Sequence, residues 1–320
     1  MSDPLDSQLD PEMLPIVMAM RQRMAERTPM VTIAPAAMRE RAAADFAVWN
    51  RDLPEVAEVR DFFLDVAPQP LRARLYAPSS ASEGGGLLIH FHGGGWVIGD
   101  LDFEDRACRL VAAKSGTKLL SVDYRLAPEA KFPEPLNDCV NAIRWARANA
   151  RDLGVSADKI AVGGASAGAN LAMGATLALR DAGEALPAFM VLIYGLFAMR
   201  TDTASYRAYG AGNFGLGGDA LEFFMNLYLR DRADRAHPYA SPILGDLRGM
   251  PPAFLAVAGM DPLRDDSIEL AEALRKAGSR VEMREYAGVI HGFTQFSAGV
   301  GKGREALEDA ALALRAALTA

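Results

Sequence analysis

The stretch Lys159-Ile160-Ala161-Val162-Gly163-Gly164-Ala165-Ser166-Ala167-Gly168-Ala169-Asn170 decides the fold. The apolar run Ile160–Val162 has the composition of a buried strand, and residues 169–180 are rich in helix formers. Between them lies a Gly-x-Ser-x-Gly motif, so the chain passes from strand to helix within a few residues. We expect a turn so tight that Ser166 adopts a positive φ and the two backbones nearly touch. Only small residues fit beside such a turn, and the two glycines of the motif satisfy this requirement.

A serine in a strand–turn–helix context is typical of a nucleophile elbow, which exposes the hydroxyl at the carboxyl edge of a sheet. The motif alone is weak evidence, because an ordinary tight turn with a surface serine has the same pattern. The hypothesis therefore depends on whether the chain also supplies a base, an acid and oxyanion donors.

Composition places the chain among globular proteins, since half of its 320 residues are hydrophobic and 23% are charged. This length suits two domains, or one large α/β domain with additions. A net charge of −7 without a basic cluster argues against nucleic acid and against stable association with an anionic membrane. The cysteines, Cys108 and Cys139, have neither metal-ligand spacing nor enough partners for a disulfide framework.

We do not expect the first residues of the sequence to act as a targeting signal. Residues 1–10 carry three aspartates and no basic residue, unlike the start of a signal peptide. The longest apolar run, residues 186–199, is too short to span a bilayer and is interrupted by Pro187 and Gly195. We expect a cytoplasmic protein.

Strand and helix patterns alternate along most of the chain, which predicts a mainly parallel sheet covered by helices on both faces. Residues 199–240 break this alternation and are interpreted as an insertion that contains one helix. The predicted strands are 56–66, 71–76, 87–91, 118–122, 160–162, 188–194, 253–258 and 281–286, and the predicted helices are 102–114, 136–151, 169–180, 221–229, 267–277 and 304–318.

The first fifty residues read as helical. Asp10 is predicted to cap a helix that begins at Pro11. Met13, Val17, Met20 and Met24 then recur at helical spacing. These side chains suit a helix packed on the body, or an adaptable lid over an apolar pocket, and the two interpretations are compatible.

The base and the acid must follow Ser166 in this type of fold, in the order Ser, acid, His. His291 follows the last predicted strand, at the edge where the serine is exposed, and is favoured over His237. Asp261 directly follows the preceding strand and is the predicted acid. Asp265 and Asp266 are expected to cap the next helix instead.

The loop Gly93-Gly94-Gly95, which follows a buried strand, is predicted to supply backbone N–H groups to a developing oxyanion. The Ala167 N–H, directly after the serine, is a further predicted donor. His92 is interpreted as an anchor of this loop. Metal binding by His90 and His92 is disfavoured, because no nearby Cys or carboxylate completes a site in the sequence.

Five motifs together resemble the hormone-sensitive-lipase-like carboxylesterases, which are bacterial-type α/β-hydrolases. The resemblance implies an eight-stranded, mostly parallel sheet under a helical cap made of residues 1–50 and 199–240, with 51–198 and 241–320 as the core. It also implies oxyanion donors at Gly94, Gly95 and Ala167, with Gly93 adjoining, and hydrolysis of esters with short to medium acyl chains. The motifs are His92-Gly-Gly-Gly-Trp96, Asp123-Tyr-Arg-Leu-Ala-Pro-Glu129, Gly164-x-Ser166-Ala-Gly168, Asp261-Pro-Leu263 and His291-Gly-Phe293.

One position departs from the family pattern. The family usually carries Asp, or in one branch Thr, before the nucleophile, whereas this chain has Ala165. A methyl group makes no hydrogen bond there, so substrate preference and pH optimum are less well defined by the resemblance.

The resulting hypothesis is a serine carboxylesterase that acts on a small ester through an acyl-enzyme and needs no metal or organic cofactor. Two alternatives stay open: action of the same triad on amides, carbamates, lactones or thioesters, or a role as a non-catalytic ligand-binding member of the fold. The presence of His291 argues against the second alternative. We also expect a homodimer, since the last strand is predicted at a sheet edge.

Overall fold

The computed structural model describes residues 3–319. The apolar run Ile160–Val162 lies inside a longer strand that ends one residue before Ser166. The strands are β1 (Glu58–Leu64), β2 (Leu71–Ala77), β3 (Gly85–Phe91), β4 (Lys118–Val122), β5 (Val155–Ala165), β6 (Met190–Ile193), β7 (Ala253–Met260) and β8 (Val281–Ile290). Five strands, β2, β3, β5, β7 and β8, extend beyond their predicted bounds, because pairing with neighbouring strands continues past the apolar runs that reveal them in sequence. The strands β1 and β6 are shorter than predicted.

All eight strands form one sheet in the order β1-β2-β4-β3-β5-β6-β7-β8. The two pairs that involve β2 are antiparallel, and every other pair is parallel. The predicted fold class is therefore confirmed. The last strand, β8, lies at an edge as expected, while the homodimer inferred from that edge stays a prediction.

Alternation along the strands divides the core into two layers. On β5, Ile160 and Val162 pack in one apolar cluster, whereas Ala161 and Ala165 pack in the other. Side chains of a strand point to opposite faces at every second residue, so the central strands are buried on both sides. The helices that cover these faces are α3 (Asp105–Ser115), α4 (Glu134–Ala148), α5 (Ala167–Asp181), α8 (Arg264–Lys276) and α9 (Gly301–Thr319).

The N-terminal segment carries two helices, α1 (Leu14–Glu26) and α2 (Pro35–Ala47). The predicted helix start at Pro11 is wrong. The Asp10 carboxylate accepts the Glu12 N–H at 2.9 Å and closes a turn, so α1 begins three residues later. Met13, directly before α1, and Val17 on it are buried, whereas Met24 is 53% exposed.

Two helices, α6 (Ala204–Tyr209) and α7 (Gly218–Tyr228), lie in the predicted insertion. The Tyr228 ring at the end of α7 stacks on Trp96, with 4.5 Å between ring centroids. The side chain of Arg39 on α2 also reaches this region and donates to the Val97 carbonyl at 2.8 Å. Both predicted cap segments therefore contact the loop after β3, although the division of the chain into cap and core stays a prediction.

No helix within residues 3–319 is both long and apolar enough to cross a membrane.

The turn after β5 brings two backbones into contact. A Cβ atom at Gly168 would overlap the Phe91 carbonyl oxygen and lie 2.6 Å from that of His92. A Cβ at Gly164 would overlap the same Phe91 oxygen. The expectation that only small residues fit on each side of the serine is confirmed, and at these two positions even a Cβ atom meets a backbone oxygen.

We predict that Gly168→Ala lowers the free energy of unfolding by more than about 3 kcal/mol, because a rigid carbonyl must move to admit the methyl group. Gly183→Ala is the control. Gly183 has a φ of 69° but no atom within 4 Å of its would-be Cβ, so it should cost only the left-handed strain of roughly 1–2 kcal/mol. Urea unfolding compares the two variants, and equal losses would contradict a steric cause.

Candidate active site

Ser166 occupies the predicted strained turn between β5 and α5. Its φ is +54° and its ψ is −117°, a conformation that L-residues adopt rarely and that clusters at functional sites. The strain is held by backbone hydrogen bonds on both sides: the Ser166 N–H donates to Ile193 at 2.9 Å, and its carbonyl accepts from Asn170 at 3.2 Å. The hydroxyl is thereby presented at the carboxyl edge of the sheet, half-buried.

The structure brings Ser166, His291 and Asp261 together in one hydrogen-bonded chain. His291 Nε2 lies 2.9 Å from Ser166 Oγ, and its Nδ1 lies 2.7 Å from Asp261 Oδ2. A carboxylate only accepts, so Nδ1 carries the proton and Nε2 is free to accept from the serine hydroxyl. Asp261 is fully buried, and its other oxygen accepts the Leu263 N–H at 2.8 Å.

The three residues meet because each one directly follows a strand of the parallel part of the sheet. Ser166 follows β5, Asp261 follows β7, and His291 follows β8, whose end pairs Ile290 with Met260. Carboxyl ends of parallel strands share one edge. The alternative base, His237, lies elsewhere: its ring packs on Phe132 and its Nδ1 accepts the Tyr239 N–H.

Sequence reasoning missed Tyr194, which lies beside His291. Its ring contacts the imidazole edge-on, with 5.0 Å between centroids, and its hydroxyl bonds to Thr294. The backbone φ is +36°, which is strained for an aromatic residue. Burial raises the pKa of Tyr194 well above its ordinary value, so the phenol stays neutral. The only signal in the sequence is an aromatic residue at the end of a predicted strand.

The glycine loop after β3 presents two unpaired N–H groups. Gly94 and Gly95 have φ values of +116° and +59°, which favour glycine, and a Cβ at Gly95 would lie 2.8 Å from the Phe224 ring. Their N–H groups donate to no acceptor within residues 3–319. The Ala167 N–H is the first of α5, so no helical carbonyl is available to it. These three donors remain candidates for oxyanion binding.

Gly93 is a correction to the predicted donor set. Its N–H already donates to Glu104 Oε1 at 3.0 Å, so it is not available to a substrate. The other Glu104 oxygen lies 2.6 Å from His90 Nε2. Sequence reasoning missed Glu104, since it lies in the first turn of the predicted helix 102–114, where an acidic residue usually interacts with the helix itself. In the structure it precedes α3 and its side chain makes no capping bond.

The interpretation of His92 as a loop anchor agrees with its contacts. Its Nδ1 lies 2.7 Å from the Gly93 carbonyl, and its ring stacks on Tyr124 at 4.4 Å. The Tyr124 hydroxyl donates to the His92 carbonyl, and the Ala127 N–H donates to that of Trp96. The segment after β4 thus braces the loop. In the part of the chain that the structure describes, no group of three or more His, Cys, Asp or Glu side chains is arranged to hold a metal.

Asp265 and Asp266 do not cap α8 as predicted. Both lie in its first turn and bind the insertion and the loop that leads to it instead. Asp265 accepts the Ser205 N–H at 2.8 Å, and Asp266 accepts those of Phe197 and Ala198 at 3.0 and 3.2 Å. These bonds tie the loop after β6 to the segment that carries Asp261.

Burial raises the pKa of Asp266 from 3.8 to about 7, although its two N–H donors and Arg200 oppose the shift. The folded chain therefore binds this proton more tightly than the unfolded chain. The resulting stability is fully present below about pH 4 and is lost as the pH rises through 7. A shift of this size corresponds to on the order of 4 kcal/mol.

We predict that wild-type protein loses unfolding free energy relative to Asp266→Asn between about pH 4 and pH 7, and that the difference is constant above about pH 8. Urea unfolding across this range measures it. Asp202→Asn is the control, because Asp202 lies 3.7 Å from the same Arg200 but its side chain is 80% exposed. Parallel curves for wild type and Asp266→Asn would contradict the prediction.

Known proteins resemble this chain in sequence and in fold. Residues 88–295 match the model of a family described by its alpha/beta hydrolase fold. A carboxylic ester hydrolase of Mycobacterium tuberculosis, LipN, is 40% identical over 74% of this chain, and the match spans 64% of that relative. An arylesterase of Saccharolobus solfataricus is 36% identical over 74% of this chain and 78% of its own.

A solved structure extends the likeness to nearly the whole chain. An ester hydrolase from the metagenome of Lake Arreo superposes with a TM-score of 0.94 at 36% identity, covering 98% of this chain and 100% of its own. The chain therefore belongs to the hormone-sensitive-lipase-like carboxylesterases of the α/β-hydrolase fold.

Proposed function

We propose that this protein is a serine carboxylesterase that hydrolyses esters of short to medium acyl chains, with Ser166 as nucleophile, His291 as base and Asp261 as the orienting acid. The observation that carries the proposal is the hydrogen-bonded chain from Ser166 Oγ through His291 to Asp261, beside the unpaired N–H groups of the glycine loop. The ester-hydrolase names of its relatives support the same reaction class.

In the acylation step, His291 Nε2 takes the proton of Ser166 as Oγ attacks the ester carbonyl. The carbonyl π electrons move to oxygen, and the N–H groups of Gly94, Gly95 and Ala167 stabilise this oxyanion. The buried Asp261 carboxylate stabilises the imidazolium that forms. Collapse of the tetrahedral intermediate breaks the C–O bond to the alcohol, which leaves with the proton from His291.

In the deacylation step, His291 takes a proton from water as the water oxygen attacks the acyl-enzyme carbonyl. The same donors hold the second oxyanion, and the bond to Ser166 Oγ then breaks with return of the proton. The products are the carboxylic acid and the regenerated serine. No step requires a group beyond these side chains, the backbone donors and water.

We predict that Ser166→Ala lowers kcat by on the order of 10⁶-fold, as loss of the nucleophile does in serine hydrolases. Wild-type protein should release a burst of p-nitrophenol equal to the enzyme concentration from an ester that deacylates slowly. A series of p-nitrophenyl esters from acetate to palmitate should give its highest kcat/KM at short to medium length.

Thr294→Ala provides a control near the site, because it removes the hydroxyl that holds Tyr194 and leaves the proposed triad intact. Retention of most activity by Ser166→Ala would exclude this nucleophile. Binding of the ester without any burst would favour the non-catalytic alternative.

Ala165, the departure from the family pattern, is buried in an apolar environment. It is 1% exposed and belongs to the cluster that includes Ala107 and Cys108 on α3. The buried carboxylate of Glu104, at the start of the same helix, is close by: the point where a Cβ of Gly93 would stand is 3.1 Å from Glu104 Oε1 and 3.1 Å from the Ala165 carbonyl oxygen. An acidic side chain at position 165 would therefore enter an apolar region near an existing negative charge.

We predict that Ala165→Asp lowers both stability and kcat/KM, because the added carboxylate is desolvated and lies near Glu104. The loss of unfolding free energy should be on the order of 2–4 kcal/mol and should shrink at low pH, where the new group is protonated. Ala165→Ser is the control, since it adds a polar atom without charge. An unchanged melting temperature and kcat/KM would show that position 165 only fills space.

A further inference from the structure

A buried carboxylate behind the glycine loop has no part in the mechanism above. Glu104 is 5% exposed and stands at the N-cap position of α3, yet its side chain makes no capping bond. Each of its oxygens has one partner instead: Oε1 accepts the Gly93 N–H at 3.0 Å, and Oε2 lies 2.6 Å from His90 Nε2. Removing a carboxylate from water costs free energy, so a buried one whose two oxygens are both bonded is expected to have a role.

We propose that Glu104 is a positioning residue that aims the Gly94 and Gly95 N–H groups at the oxyanion, an inference that rests on the proposed function. Glycines restrict their own backbone little, so the direction of these donors must be imposed from outside the loop. On one side of the loop, the Gly94 carbonyl accepts the N–H groups of Val97 and Ile98. On the other side, the charge-assisted bond from Gly93 to Glu104 fixes the peptide plane that precedes both donors.

His90 holds the Glu104 carboxylate in a fixed position relative to the sheet. It lies on β3, in register with Ser121 on one side and Gly163 on the other, so its backbone is held from both neighbouring strands. The bond to its ring ties Glu104 to the centre of the sheet. The loop is consequently fixed relative to the same sheet that carries Ser166.

The carboxylate also lies near the nucleophile turn. The point where a Cβ of Gly93 would stand is 3.1 Å from Glu104 Oε1, 3.1 Å from the Ala165 carbonyl oxygen and 3.5 Å from Ser166 Cβ. The residue before the nucleophile contributes no polar side chain here, because it is Ala165. Glu104, directly before α3, thus places a buried carboxylate between the glycine loop and the turn at Ser166.

The test measures hydrolysis of p-nitrophenyl butyrate and inhibition by butylboronic acid, which forms a tetrahedral adduct with a serine hydroxyl. Glu104→Gln keeps an acceptor for Gly93 but weakens both bonds, and we expect kcat to fall about 10-fold with KM unchanged. Glu104→Ala removes both bonds, and we expect a fall of about 100-fold. The inhibition constant for the boronic acid should rise by the same factor as kcat/KM falls.

Asp105→Asn is the matched control. Asp105 is the next residue, is 6% exposed, and binds Tyr76, Arg74 and Arg109 rather than the loop. Its loss should lower the melting temperature and leave kcat and the boronic acid constant within twofold of wild type. If Glu104→Ala does not fold, His90→Gln replaces it: the Gly93 bond remains, and we expect a fall in kcat of about 5-fold.

Equal kcat in Glu104→Gln and wild type, a higher kcat in the variant, or an equal loss in Asp105→Asn would overturn the positioning role. So would a fall in kcat without a matching loss of boronic acid affinity. Failure of the proposed function has a different signature, because wild-type protein would then give no burst and Ser166→Ala would retain its activity.

Discussion

The contact between the backbone of Gly168 and the Phe91 carbonyl is the constraint on which the site depends. It allows the start of α5 to press against the end of β3 with no side chain between them. The Ala167 N–H and the glycine loop consequently lie on the same side of the sheet, close to Ser166. A scaffold with any larger residue at position 168 would separate the nucleophile turn from the loop that follows β3.

Much of this arrangement could be predicted from the sequence, for a physical reason. Ser166, Asp261 and His291 each directly follow an apolar strand, and carboxyl ends of parallel strands lie at one edge. For this reason His291 lies within hydrogen-bonding distance of Ser166, although the two residues are 125 positions apart in the chain. The end of β8 is harder to predict from the sequence, because Ala287 and Gly288 interrupt the strand pattern before Ile290 pairs with Met260.

The features that could not be predicted all depend on where a side chain points. Glu104, Asp265 and Asp266 stand at helix starts, where an acidic residue usually serves the helix itself. In this fold their carboxylates bind backbone N–H groups of distant loops instead. The choice between these partners follows from the packing of whole elements, which no local pattern in the sequence encodes. Gly93 was assigned wrongly for the same reason, since its N–H is engaged by a residue on another element.

The helix α7 packs against the glycine loop through two aromatic side chains. Its Phe224 ring lies against Gly95, and its Tyr228 ring stacks on Trp96, the residue that ends the glycine loop. The helix α7 of the predicted cap is therefore also a wall of the glycine loop. Substitutions on α7 that change this packing would therefore also move the backbone N–H groups of Gly94 and Gly95.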